Sequence, residues 1–104
     1  MMNENKKVDL EFLEDMGFDD NYVLEINQRI PKETIDILNE NKETVKANIL
    51  YLKNLGISNY QEGFIRFYNM FLIEPNSFDE IFSKYDKEDL IVKLEKNIAI
   101  LEHL

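Results

Sequence analysis

A chain of 104 residues, 44% of them hydrophobic, is long enough to form one domain with its own core, and this composition excludes a chain that is disordered throughout. The absence of cysteine excludes disulfides, thiolate metal sites and cysteine nucleophiles. The net charge of −9 disfavours nucleic acid and anionic lipid as partners, because a negative field repels phosphate groups.

The N-terminus is polar, and no apolar stretch follows it as it would in a secretory signal. No apolar run approaches the ~20 residues of a membrane-spanning helix. We therefore expect a cytoplasmic protein with no membrane partner. We predict a single helical domain over residues 1–104, in which residues 1–6 are a disordered N-terminus.

Three helices are predicted in the first part of the chain. Apolar residues recur at helical spacing from about Lys7 to Met16, and Gly17 is placed to end this helix in the left-handed conformation. Asp19 can cap the second helix, which Pro31 ends because the residue before a proline avoids the α region. Pro31 can also open a short third helix that continues through Leu38.

The middle of the chain predicts two longer helices. One follows Asn41, a good cap, and ends at Leu55-Gly56. Residues Ser58–Gln61 match the capping-box pattern and predict the start of a helix that is apolar nearly all round and runs to Leu72. Pro75 is expected to close that helix.

Two further helices complete the prediction. Ser77–Glu80 is a second capping-box match, and Asp86 can cap the last helix. The last helix carries apolar residues in a seam that favours core packing over a coiled-coil dimer, namely Ile91, Leu94, Ile98 and Leu101. Since no segment alternates as a strand does, the predicted fold class is all-α: a compact array of stacked helical hairpins, with about six helices and no sheet.

A repeat is visible in this pattern. Leu10–Asp19 and Ile49–Ser58 share an aromatic residue, a leucine, two polar residues, an apolar residue, glycine, an apolar residue and a cap. The last residues, Asn97–Leu104, parallel Asn48–Leu55 as a partial third copy. A spacing of ~40 residues with helical content is typical of stacked helical units, although two unrelated helical hairpins could converge on the same pattern.

At these residues the chain resembles the mitochondrial transcription termination factor (mTERF) family. A unit of that family begins with a leucine, two unspecified residues, a second leucine or a methionine, a glycine, an apolar residue, and Ser or Asp. An apolar helix, a proline and a short helix follow. Leu13–Asp19 and the later Ile30-Pro31 follow this order. Leu52–Ser58 begins a second such unit, but Asn69-Met70 stands where its proline is expected.

The resemblance implies a right-handed stack of helical hairpins with a basic concave face that binds nucleic acid. The chain departs from the family in the residues that such a face needs. It has two arginines, Arg29 and Arg66, and its lysines are scattered among acids. No nucleic-acid-binding residue can therefore be assigned from the resemblance.

Candidate catalytic groups are scarce. The single histidine, His103, is next to the last residue, and Ser58 and Ser77 are better explained as helix caps than as nucleophiles. No phosphate-loop, dinucleotide-binding or zinc-protease pattern is present. We predict that the chain is not an enzyme and that it has no cofactor and no catalytic, cofactor-binding or metal-binding residues.

Acidic residues are concentrated near the N-terminus without an intervening lysine or arginine. This stretch has three interpretations: a solvated surface, a weak Mg²⁺ or Ca²⁺ site, or a docking face for a basic partner. Residues from Asp19 onward depart from the calcium-binding loop pattern after a few positions. The candidate partner-binding residues are Asp9, Glu11, Glu14, Asp15, Asp19, Asp20 and Glu25.

The sequence thus predicts a non-enzymatic protein-interaction module, such as an acidic inhibitor or adaptor that binds a basic protein. The alternative is a nucleic-acid-binding helical repeat protein of mTERF-like type. We expect a monomer or a weak dimer. The Asn-, Lys- and Ile-rich composition favours a bacterial source or a bacterial mobile element.

Overall fold

The computed structural model describes residue 10 and residues 12–104, and these residues form helices and turns without any strand. Six of the α-helices have seven or more residues, as predicted. In chain order the elements are α1 (Phe12–Asp15), α2 (Asp20–Arg29), α3 (Lys32–Glu40), α4 (Lys42–Leu55), α5 (Tyr60–Arg66), a first 3-10 segment (Tyr68–Leu72), α6 (Pro75–Ser83), α7 (Lys87–Lys96) and a second 3-10 segment (Ile98–His103). Across this part of the chain, no helix has both the length and the apolar character required to span a bilayer. The predicted disorder of residues 1–6, and the start of the first helix at Lys7, lie outside the described residues.

The two glycines of the predicted repeat, Gly17 and Gly56, form the same turn. Gly17 and Gly56 both have positive φ angles, 94° and 105°. In each case the glycine N–H donates to the carbonyl three residues earlier, and the next N–H donates to the carbonyl five residues earlier. This pair of bonds defines a Schellman motif, in which the residue after glycine packs back on the helix. Phe18 and Ile57 hold that position, and both are buried.

The hairpins built on these turns are stacked. α1 packs against α4, and α2 packs against α5. The backbone N–H of Asp19 donates to Oε1 of Gln61 at 2.9 Å, which places the N-terminal ends of α2 and α5 side by side. The predicted stack of helical hairpins is therefore the observed architecture.

A third layer is formed by α7 and the second 3-10 segment, which packs on α5. Gly63 allows this close approach, because a Cβ atom there would lie 2.9 Å from Cδ1 of Leu101 and 3.3 Å from Ile98. The last residues nevertheless depart from the predicted continuous helix, since the backbone at Asn97 is extended and the following turn is 3-10.

Aromatic side chains connect the layers through the core. Phe18 lies edge-on to Phe64, with ring centroids 5.7 Å apart, and Phe64 lies 5.1 Å from Phe71. The series continues from Phe71 to Phe78 and from Phe78 to Phe82. Such offset and edge-on pairs contribute about 0.5–1.5 kcal/mol each beyond the area that they bury. The core therefore runs without a break from the first hairpin to α6.

The helix predicted to reach Leu72 ends instead at Arg66 and continues as a 3-10 turn. Asn48 of α4 holds the end of this turn. Its side-chain amide is buried and donates to the carbonyls of Phe71 and Ile73, at 2.9 and 2.8 Å. These two carbonyls thus have a donor outside their own segment.

Pro75 opens a helix instead of closing one. It occupies the first turn of α6, where its missing N–H has no intrahelical partner to lose. The carboxylate of Glu74 caps this helix by accepting from the N–H of Asn76. The capping box predicted at Ser77 is therefore wrong, whereas the predicted cap at Asp86 is confirmed, since its carboxylate accepts from the N–H of Asp89.

Candidate partner-binding surface

Four of the predicted partner-binding residues surround the first glycine turn. Glu14 and Asp15 end α1, Asp19 is the N-cap residue of α2, and Asp20 begins that helix. All four residues are exposed, and we call them the acidic corner. No described lysine or arginine forms an ion pair with these carboxylates. Asp9 and Glu11 lie outside the described residues.

Glu25 stands apart from the acidic corner. It lies farther along α2 and forms an ion pair with Arg29 one turn later. Its charge is therefore matched on its own helix, whereas no lysine or arginine among the described residues forms an ion pair with the acidic corner. The structure thus brings together four of the seven predicted residues and separates Glu25 from them.

The backbone of the acidic corner is held in place on both sides. Phe18, between the two pairs of acids, inserts into the second hairpin and contacts Tyr60 and Phe64 edge-on. The N–H of Asp19 is bonded to Gln61. Asp19 occupies the N-cap position of α2, but its side chain accepts no capping bond. Its carboxylate therefore has no structural hydrogen bond in the cap, and a partner could use it.

Lys53 brings a positive charge next to the acidic corner, which the sequence did not indicate. Its Nζ donates to the carbonyl of Met16 at 2.7 Å and lies 5.5 Å from the centre of the Tyr60 ring. A cation at the C-terminal end of a helix is favourable because unpaired carbonyls carry partial negative charge there. The contact joins residues 37 apart in the chain, and no local pattern marks it.

Both arginines of the chain lie on a groove between α2 and α5. The groove has a volume of about 390 Å³ and is lined by Arg29 and Arg66 together with Tyr22 and Glu25. Each arginine pairs with a glutamate one turn earlier on its own helix, Arg66 with Glu62 at 3.5 Å. The groove therefore presents matched charges of both signs, unlike the uniformly basic face that nucleic acid requires.

The described acidic residues do not form a cation site. Nowhere in residues 12–104 do three histidine, aspartate or glutamate side chains come together in a way that could hold a metal ion. His103 is exposed at the end of the second 3-10 segment. The acidic corner is thus an extended charged surface with no chelating geometry.

Searches of protein-family models, curated proteins and solved structures find no match to this chain. The resemblance to the mTERF family consequently stays a prediction from the quoted residues.

Proposed function

We propose that the chain is a non-enzymatic protein-interaction module that binds a basic protein partner through the acidic corner. The observation that carries this proposal is the exposure of Glu14, Asp15, Asp19 and Asp20 on one fixed turn. Opposite charge accelerates association and selects among partners, since a positive surface meeting a negative one is steered toward it. An acidic inhibitor or adaptor is the form of this function that fits a net charge of −9.

A preformed surface lowers the cost of binding. Segments that fold on binding lose conformational entropy, whereas the acidic corner is already fixed by the Phe18 contacts and by the Asp19–Gln61 bond. We therefore infer a partner that recognises the turn in its present shape. A matching array of lysine or arginine side chains is the chemistry that the partner needs.

Charge reversal tests the proposal. A variant with Asp15→Lys, Asp19→Lys and Asp20→Lys is expected to lose partners that the wild-type protein retains from a lysate of its source organism, as read by mass spectrometry. Helicity should survive, because these side chains are exposed and the Asp19 side chain makes no capping bond.

A matched control separates the local surface from bulk charge. The exposed residues Glu33, Glu80 and Glu88 lie on α3, α6 and α7, and their reversal to lysine changes the net charge by the same amount. This control should retain the partners. Equal capture by the wild-type protein and by the acidic-corner variant would sink the proposal.

The nucleic-acid alternative makes a different prediction. It requires retention of labelled DNA or RNA at low salt, with affinity that falls steeply as salt rises. The pairing of Arg29 and Arg66 with glutamates gives no support to this alternative. Retention of either nucleic acid by the wild-type protein would favour it over the protein-interaction role.

A further inference from the structure

A cleft lies away from the acidic corner, where the two 3-10 segments meet α6. Its volume is about 460 Å³, within the range of about 300–1,000 Å³ that small-ligand sites occupy. The cleft lies beside two helix ends, since α5 ends at Arg66 and α7 ends at Lys96, shortly before the second 3-10 segment. Neither the sequence pattern nor the proposed function accounts for it.

The walls of the cleft are apolar. They retain partly exposed hydrophobic surface, since five of the six apolar side chains are only half-buried. These six residues are Phe67, Met70, Ile73, Ile81, Leu101 and Leu104. Covering such surface with an apolar ligand is favourable by about 25 cal/mol for each Å² removed from water.

The lining also contains one cation and one anion, Arg66 and Glu102, and both are exposed. The guanidinium of Arg66 lies over the Phe67 ring, with its Cζ atom 5.4 Å from the ring centre. Its contact with Glu62 is 3.5 Å long, whereas strong charged N–H···O bonds measure about 2.7–2.9 Å. The aromatic ring therefore orients a guanidinium whose remaining N–H groups can donate hydrogen bonds to a carboxylate ligand.

We propose that this cleft binds a short apolar peptide with free termini. Its carboxylate would pair with Arg66, its ammonium group with Glu102, and its side chains would cover the apolar walls. Arg66 and Glu102 both line the cleft and form no ion pair with each other, so each can meet a ligand terminus of opposite charge. Arginine favours carboxylates because its planar fork can donate two parallel hydrogen bonds. This site is independent of the acidic corner and of the proposed basic partner.

The dipeptide L-leucyl-L-phenylalanine is a suitable probe. Added to the ¹⁵N-labelled full chain at millimolar concentration, it should cause saturable amide shifts in residues 67–73 and at Leu101. Amidation of the C-terminus, or acetylation of the N-terminus, should each weaken binding about tenfold, which corresponds to about 1.4 kcal/mol. No saturable shift, or equal binding of a peptide blocked at both ends, would overturn the proposal.

Two variants assign the termini. Arg66→Gln should weaken the free dipeptide about tenfold and leave the amidated peptide unaffected, since that peptide has no carboxylate to lose. Glu102→Gln should likewise weaken the free dipeptide and leave the acetylated peptide unaffected, since that peptide has no ammonium group. Arg29→Gln removes an arginine with the same kind of glutamate pair, but outside this cleft, and should bind like the wild-type protein. If Arg29→Gln weakens binding as much as Arg66→Gln, the effect is bulk charge and the site assignment is wrong.

Discussion

Asn48 is the one fully buried polar residue in the described part of the chain, with 1% of its surface exposed. Its amide ties α4 to the first 3-10 segment through two carbonyls that are 23 and 25 residues away in sequence. Because those carbonyls have left the helical pattern, they depend on this donor. A single buried side chain thus fixes the end of the first 3-10 segment, beside the cleft-lining residue Ile73, against α4.

Replacing this donor should be costly. Asn48→Leu keeps a similar volume but leaves two carbonyls without their donor, and an unsatisfied buried polar group costs about 1–3 kcal/mol. We expect the free energy of unfolding, measured by urea denaturation, to fall by about 2–3 kcal/mol. Asn54→Leu, on an exposed position of the same helix, should change it by less than about 0.5 kcal/mol. Equal losses in the two variants would contradict this role.

The free energy of unfolding depends on pH in the alkaline range through Tyr51. Burial raises the pKa of its phenol above the usual value of 10.0, and the hydrogen bond and negative charge of Asp79 raise it further, while Ser83 lowers it. The folded state therefore keeps the phenol proton more tightly than the unfolded chain does. The resulting stabilisation is fully present below pH 10 and is lost as the pH rises from there through the folded-state pKa.

Tyr51→Phe removes the titrating group while keeping the ring that packs on Phe78 and Phe82. The fall in the free energy of unfolding above pH 10 should therefore be shallower in this variant than in the wild-type protein. Urea denaturation at a series of alkaline pH values measures the slope. Tyr85→Phe, at an exposed tyrosine, is the control and should follow the wild-type slope. Identical slopes in all three proteins would refute the assignment.

At the scale of the helix, the two glycine turns share a backbone but differ in their neighbours. A Cβ atom at Gly56 would meet only Cδ1 of Ile91, at an ordinary 3.9 Å. At Gly17 it would lie 3.2 Å from Oη of Tyr60 and 3.3 Å from Nζ of Lys53. Substitution at Gly17 therefore adds a displacement of the Lys53 contact to the backbone strain.

Alanine at each glycine should separate these effects. Gly56→Ala is expected to lower the free energy of unfolding by about 1–2 kcal/mol, because a Cβ atom is strained in the left-handed conformation. Gly17→Ala should lower the free energy of unfolding by more than Gly56→Ala does. This excess should shrink when Gly17→Ala is made in a chain that already carries Lys53→Met. Thermal unfolding of the wild type, the three single variants and the Gly17→Ala/Lys53→Met double variant measures these differences. A lower cost at Gly17 than at Gly56 would show that the Lys53 contact contributes nothing to the turn.

Local rules in the sequence predicted some elements correctly and failed at others for a physical reason. The glycine turns and the cap at Asp86 depend on neighbouring residues alone, and they were predictable. The capping box at Ser58 failed because both partners are used elsewhere: the Ser58 hydroxyl donates to Glu95, and Gln61 accepts from Asp19. These competing partners lie 37 and 42 residues away, where no local pattern reaches.

The same distinction holds for the candidate site across the whole molecule. Clustering of acids around Gly17 follows from sequence proximity, so four members of the acidic corner were predictable. The ion pair of Glu25 with Arg29 was also predictable from their spacing of one helical turn. It was missed because Glu25 was grouped with the acids that precede it. The position of Lys53 and the cleft beside α6 depend on how hairpins stack, which the helical periodicity does not specify.

Stacked hairpins also predict how the molecule comes apart. In repeat architectures each unit contacts mainly its neighbours, so units can open separately. The first unit, α1 to α3, meets the rest through α4 and α5. Phe18 lies at this junction, with 4% of its surface exposed and two aromatic contacts to the next hairpin.

Phe18→Ala should therefore release the first unit before the others. Phenylalanine-to-alanine changes in cores cost about 3–5 kcal/mol, and here the loss should fall on amide hydrogen-exchange protection in α2 and α3 while α4 and α7 stay protected. Phe82→Ala removes an equally buried ring that contacts Tyr51 and Phe78 instead, so its loss should appear in α4 and α6. Both variants remove a buried phenylalanine ring, and they differ in the part of the stack from which the ring is removed. If both variants lower protection uniformly in every helix, the domain unfolds as one cooperative unit and the stack has no separable first hairpin.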